Sequence, residues 1–168
     1  HHHYTNTAKR RQKSMYLKPV LSLILPVISM LELSTSFADE NKTYVVSGID
    51  DVTEIVVDEF GVPHIYAENH YDVFFAQGFN AARDRLWQID LWKRRGLGQL
   101  SEILGEQYLE QDRAARMFVY RGDMYAEWLA YGNDAKLISE SFTAGINAFV
   151  ELAKVNPELM PVEFGLLG

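Results

Sequence analysis

The sequence predicts an α+β fold, mostly helical, with one short β-hairpin where the folded part begins. Residues 53–67 alternate short β-branched runs with turn chemistry, and from Phe74 onward apolar side chains recur at helical spacing. Composition agrees with one globular unit. Over 168 residues, 48% hydrophobic and 23% charged side chains exclude the disordered class.

The hairpin is read from Ile55-Val56-Val57, a turn at Asp58-Glu59-Phe60-Gly61, and a second extended stretch from Val62 to Ala67 whose Pro63 suits a strand start. Val62, His64 and Tyr66 share one face of that second strand. His64, between apolar neighbours and without an acidic or His partner at fitting spacing, reads as a packed, hydrogen-bonded residue and not as a ligand or catalyst.

The long helix that follows has the clearest period. With 100° per residue from Phe75, the side chains of Phe79, Ala82, Leu86 and Ile89 centre one face, flanked by Phe74, Gly78, Ala81 and Trp92. Asp84 falls opposite, in solvent. Arg85 lands inside the apolar arc and is expected to need a buried partner, since an unpaired guanidinium there costs several kcal/mol. Asp90 and Arg94 form an acid-before-base i,i+4 pair, and Lys93-Arg94-Arg95 precede Gly96 and Gly98 as helix-end punctuation.

A short helix over Gln99–Leu104 comes next. Gln111–Tyr131 reads as one helix with Met117, Tyr120, Met124, Trp128 and Tyr131 as its core stripe, which places Arg121-Gly122-Asp123 inside a helix and discounts an adhesive role for it. Asn133 caps the last helix, on which Ile138, Phe142, Gly145, Phe149 and Leu152 line one face and Gly145 admits a close neighbour, until Asn156-Pro157 ends it. Residues 158–168 show turn residues without a period. No internal repeat, phosphate-binding glycine loop or metal-ligand spacing is present in the sequence.

The first 38 residues are expected to lie outside the fold. Lys9 to Lys18 is basic, the 13 residues Pro19–Leu31 are uncharged and mostly apolar, and Ser36-Phe37-Ala38 offers small residues where a signal peptidase reads. As a helix, Pro19–Leu31 would span about 20 Å, short of a bilayer core of roughly 30 Å. Residues 15–38 therefore read as a signal peptide starting at Met15, and 1–14 as upstream extension or tag remnant. Residues 1–38 hold Lys9, Arg10, Arg11, Lys13 and Lys18 against Glu32. What remains carries 11 basic and 22 acidic side chains, a net charge of −11 that repels polyphosphate and makes nucleic acid an unsuitable partner. Without Cys there are no disulfides and no thiolate metal sites.

Several clusters carry a family resemblance by their order and spacing. They are Asp58–Ala67 with its Gly-x-Pro-His-Ile-Tyr-Ala run, Gln77-Gly78-Phe79, Arg83–Gln88, Arg94-Arg95 to Gly98, Glu102–Gly105, and Pro161–Gly168. Across most of Glu54–Gly168 the sequence resembles the N-terminal part of the α-subunit region of the penicillin acylase (penicillin amidase) family, which are N-terminal nucleophile hydrolases. The resemblance implies that residues 39–168 are an incomplete portion of a four-layer αββα fold. It also implies an exported, self-cleaving precursor, periplasmic or secreted, touching membrane only through its leader. In that family the nucleophile, usually Ser, is the N-terminal residue of the β-subunit, and its own α-amine, titrating near about 7.7 to 8.0, serves as base. That residue lies beyond Gly168, so no catalytic, cofactor-binding or metal residue is assigned to this segment. A structural calcium of the full-length protein, which the resemblance allows, would be held by a later helix. The implied partners are the chain's own β-subunit region and a small amide with an apolar acyl group: a penicillin, a cephalosporin side chain, an acyl homoserine lactone or a lipopeptide.

Two alternatives remain open at this point. One is a small exported helical binding protein without catalysis, since 130 residues can bury roughly two-thirds of their surface; the reading frame downstream of Gly168 separates the two. The other pairs Ser101 or Ser141 with His64 or His70, although neither Ser lies on the strand-to-helix turn that exposes such nucleophiles. The remaining helical hydroxyls, Ser139 and Thr143, have no His nearby in sequence. Phe75, Leu86, Phe142 and Phe149 are expected to await a partner sheet, leaving an isolated segment prone to aggregation.

Overall fold

A computed structural model of the chain describes residues 13–19 and 42–167. Its strands are β1 (Lys13–Pro19), β2 (Lys42–Val46), β3 (Thr53–Val57) and β4 (Pro63–Tyr66). Its helices are α1 (His70–Leu97), α2 (Ser101–Leu104), α3 (Leu109–Phe118), α4 (Met124–Ala130), α5 (Ala135–Val155) and α6 (Val162–Leu167).

The expected hairpin is present as β3 and β4, but it belongs to a four-stranded sheet of order β2-β1-β3-β4. β1 runs parallel to β2 and antiparallel to β3. Period-2 alternation explains its place: Met15 and Leu17 turn inward and are buried, while Ser14, Tyr16 and Lys18 stay partly exposed. The expectation that the first 38 residues stand outside the fold is thus corrected for 13–19, whose two apolar side chains join the core. The rest of the expected leader, 20–38, and the extension 1–12 lie outside the described residues.

Asn69 starts α1 with extended backbone, its side-chain oxygen accepting the Asp72 N–H at 2.9 Å while its Nδ2 donates to the Asp72 carboxylate at 3.0 Å. That fully buried carboxylate also accepts the N–H groups of Asp50 (3.0 Å) and Asp51 (2.9 Å). One side chain therefore fixes both the helix start and the β2–β3 connection. The other end closes on Gly98 (φ 66°), whose N–H bonds Arg95 O while Gln99 N–H reaches back to Arg94 O, the paired bonds of a Schellman stop.

Phe75, Phe79, Ala82 and Leu86 are buried as the period requires, and Ile89 is half-buried. Arg85 is the exception. Its backbone leaves helical geometry (φ −143°, ψ 26°) and its side chain is exposed, so it needs no buried partner and has none among the described residues. Asp84 is exposed as expected, paired with Arg83 at 2.8 Å. Trp92 is also outside the core, 67% exposed, with the Arg95 guanidinium 5.1 Å from its ring centre.

α5 crosses α1 at two glycines. A Cβ on Gly78 would stand 1.9 Å from the Phe142 carbonyl oxygen, and one on Gly145 would stand 1.9 Å from the Phe75 carbonyl oxygen. Phe149 then reaches Phe79 edge to face at 5.4 Å, and both lie over Leu17 and Ile55 in one cluster. The inner faces of Phe75, Leu86 and Phe149 are therefore covered within this chain, contrary to the expectation that they await another sheet, while Phe142 is half-buried.

The expected helix over 111–131 is two. Val119 is extended, Gly122 follows, and the Asp123 carboxylate caps α4 by accepting the Tyr125 N–H at 2.9 Å. The break exposes most of the supposed core stripe: Met117, Tyr120, Met124 and Tyr131 are all exposed and only Trp128 is half-buried. Arg121-Gly122-Asp123 thus sits in a connection and not in a helix, with Arg121 donating to Arg116 O at 2.6 Å. Asp134, not Asn133, precedes α5, and it makes no side-chain cap bond. α5 ends before Asn156-Pro157 as expected, but 158–167 is more ordered than expected: α6 packs Phe164 edge to face on Trp87 at 5.0 Å. Among the described residues no helix is long and apolar enough to cross a membrane.

Candidate functional site

Two of the four hydroxyls weighed as nucleophiles are bonded within their own helix. Ser139 Oγ donates to Ala135 O at 2.9 Å and Thr143 Oγ1 to Ser139 O at 2.8 Å, the back-bonding of helical hydroxyls. Ser101 starts α2 and is bound to Asp112, which accepts its N–H at 2.8 Å and the Leu100 N–H at 3.0 Å. Ser141 is fully buried with its Oγ unpartnered. It lines a cavity of about 250 Å³ together with His70 and Asp134, yet no hydrogen bond joins the three. His64 lies elsewhere, in the hairpin. Among the described residues, none of these four hydroxyls is hydrogen-bonded to a histidine.

His64 is exposed, not packed, and its partner is Asp58 at 3.1 Å. Asp58 Oδ1 also accepts the Phe60 and Val62 N–H groups, each at 2.9 Å. The His64 hydrogen bond, then that from Val62, hold the Asp58 carboxyl below its ordinary range. The pair organises the turn.

A second acid organises the corner after α1. Asp112 is 3% exposed; burial works to raise its pKa, but the Ser101 hydroxyl, the N–H groups of Ser101 and Leu100 and the Arg116 charge outweigh it, and the carboxyl titrates below its usual value. Arg116 Nε in turn donates to Gly98 O at 2.8 Å. Arg94 adds the expected bond to Asp90 (2.7 Å) and another to Glu102 (3.3 Å). Among the described residues there is no group of three or more His, Asp or Glu that could hold a metal ion. The Asn69-x-x-Asp72 pattern was a readable capping signal; Asp112, acting 11 and 12 residues away, left no local one.

Apolar surface is also present among the described residues. A cleft of about 720 Å³ between α1, α5 and α6 is lined by Leu86, Ile89, Ile146, Val150, Met160 and Phe164, with Asp90, Lys93, Thr143 and Asn147 adding polar atoms. Its size and lining are those of a site that holds an apolar group or another element. Around the α3–α4 break, Phe118 (88% exposed), Met117 (79%), Tyr125 (71%) and Leu129 (70%) face solvent.

The family described as penicillin amidase matches residues 52–168. The chain is 32% identical over 116 residues to a penicillin G acylase of Escherichia coli, covering 68% of this chain and 14% of that protein. It is 36% identical over 123 residues to a penicillin acylase 2 proenzyme of Pseudomonas sp. (strain SE83), covering 73% of this chain and 15% of that protein. An acyl-homoserine lactone acylase of Pseudomonas syringae is 25% identical over 108 residues, 64% of this chain and 13% of that protein. A solved thermostable penicillin G acylase from Alcaligenes faecalis superposes with a TM-score of 0.62 at 29% identity, covering 68% of this chain and 61% of that one. The chain thus spans about a seventh of the length of its curated relatives.

Proposed function

Because the chain belongs to the penicillin amidase family, we propose that it is the N-terminal part of an exported acylase that hydrolyses the linear amide of a substrate bearing an apolar acyl group. Penicillins, cephalosporin side chains, acyl homoserine lactones and lipopeptides are the candidate substrates. The observation that carries this reading is the match over 52–168, which takes in β3, β4 and every helix of the described residues. In this proposal the nucleophile is the N-terminal residue of a β-subunit encoded downstream. Its hydroxyl attacks the carbonyl carbon, its α-amine takes up the proton, and donors outside this segment hold the oxyanion. In this proposal residues 39–168 supply β2–β4 and the helices beside that centre, consistent with Ser139 and Thr143 bonded to backbone, Ser101 to Asp112 and Ser141 shut in the core. The leader at 15–38 would direct the precursor to the periplasm, leaving Asp39 as the first residue.

The test is to express the whole reading frame containing this segment in a bacterium with a Sec system, sequence the N-terminus of the periplasmic product and assay phenylacetyl, glutaryl and acyl-homoserine-lactone amides. The expected result is Asp39 at the N-terminus and hydrolysis of at least one class, with no turnover by the 168-residue chain alone. Turnover by that chain, abolished by Ser101→Ala or Ser141→Ala, would overturn the assignment of the nucleophile elsewhere.

A further inference from the structure

The cleft between α1, α5 and α6 has an apolar body and a polar edge of one sign. On α1 its lining runs from Leu86 to Lys93 and on α5 from Thr143 to Val150, each at the i, i+3, i+4, i+7 spacing of one helix face, and Met160 and Phe164 close the third side. Of its apolar side chains only Leu86 is buried, and the others stand half-buried around about 720 Å³ of space. That volume lies within the roughly 300 to 1,000 Å³ of small-molecule sites. Each stripe is about 10 Å long at about 1.5 Å per residue, the reach of a straight chain of about eight carbons. Some polar groups of the lining are already engaged. Thr143 Oγ1 donates to Ser139 O at 2.8 Å, and the Asp90 carboxylate accepts Arg94 Nε at 2.7 Å. Lys93 on α1 and Asn147 on α5 are exposed and have no hydrogen bond or ion pair among the described residues. A carboxylate answered by Arg94 and an unanswered ammonium favour an anion in the cleft, and the N–H groups of Lys93 and Asn147 are donors that an acceptor-only carboxylate satisfies.

We propose that this cleft binds a medium-chain carboxylate, its alkyl chain lying between the α1 and α5 stripes and its carboxylate taking donors from Lys93 and Asn147. The lining selects the occupant. An ammonium head would meet Lys93 with like charge, and an uncharged apolar molecule would shield both donors from water without offering them an acceptor. Such an acid is also what hydrolysis of an amide with an apolar acyl group releases, but the site rests on its lining and not on the proposed function.

The test is isothermal titration of the 168-residue chain with sodium octanoate. The expected result is one octanoate per chain, with butanoate and octylammonium each binding at least about tenfold more weakly and Lys93→Gln weakening octanoate about threefold or more. Gly165 lines the cleft, and a Cβ there meets nothing within 4 Å, so Gly165→Phe should fill the space and abolish binding with an unchanged circular dichroism spectrum. Phe118→Lys with Leu129→Lys, which alters the exposed band at the α3–α4 break instead, should bind octanoate like the parent. The full reading frame containing this chain should bind octanoate with the same dependence on Gly165. The proposal is overturned if octanoate does not saturate, if butanoate, octylammonium or the Lys93→Gln chain shows equal affinity, if a folded Gly165→Phe chain binds like the parent, or if the Phe118 and Leu129 changes remove binding. Absence of a Gly165-dependent site in the full-length protein would overturn it too, making the rest of the polypeptide the occupant, and a dimer that Gly165→Phe dissociates would make the occupant a second copy.

Discussion

Gly78 and Gly145 show how little room one atom has at a helix crossing. Each faces a carbonyl oxygen of the opposite helix where a methyl would sit at 1.9 Å, so neither α1 nor α5 can yield without moving backbone. Gly145→Ala or Gly78→Ala should cost about 3 kcal/mol or more, whereas Gly96→Ala, with nothing within 4 Å and helical backbone, should gain about 0.5 to 1 kcal/mol. Urea midpoints of the three variants test this, and a Gly145→Ala chain as stable as wild type would show that the crossing is looser than described. Asp112 gives a pH signature. Its folded pKa lies below the unfolded value of about 3.9, so its contribution is fully present above that value and is lost as pH falls through the folded pKa. Asp112→Asn should therefore lower the urea midpoint clearly at pH 7, with the gap to wild type closing as the pH falls below about 4. A gap independent of pH would mean that the side chain acts by shape and not by charge.

Among the elements, α1, β3 and β4 were legible because their residues repeat a period that packing then obeys, and α5 because Gly145 and Phe149 fall on its buried face. What escaped reading has physical causes. Arg85 was misplaced because a period assumes unbroken helix, and its own backbone leaves helical geometry at φ −143°. The α3–α4 break was missed because apolar spacing ran through it, while Val119, Gly122 and the Asp123 cap together outweigh that spacing. β1 was hidden because Met15-x-Leu17 is a two-residue signal inside a basic leader-like stretch. The site stayed mostly unread, since the ties of Asp112 and Asp72 are tertiary. The break itself can be probed. Within residues 42–167, brief trypsin treatment should cut first after Arg121, in the exposed connection, before any site in α1 or α5. Mass spectrometry showing first cuts inside α1 would contradict the described stability order.

For the whole molecule, one compact core under the sheet coexists with a broad uncovered apolar band at the α3–α4 break. Phe118 and Leu129 have 88% and 70% of their surface exposed, so they add little to folding and much to adhesion. Phe118→Lys with Leu129→Lys should reduce binding of a hydrophobic dye severalfold and leave the urea midpoint within about 0.5 kcal/mol of the parent. A double variant that melts much earlier would place these side chains in the core after all. The α1–α5 crossing also has a temporal side. Phe75 and Phe79 are covered by Phe149 and by the backbone around Gly145, which the ribosome adds some 67 residues after Gly78. At roughly 5 to 20 residues per second, α1 waits about 3 to 13 s with its apolar face open. A nascent chain stalled within α4 should therefore be held by chaperones, and one stalled well past α5 should be free of them.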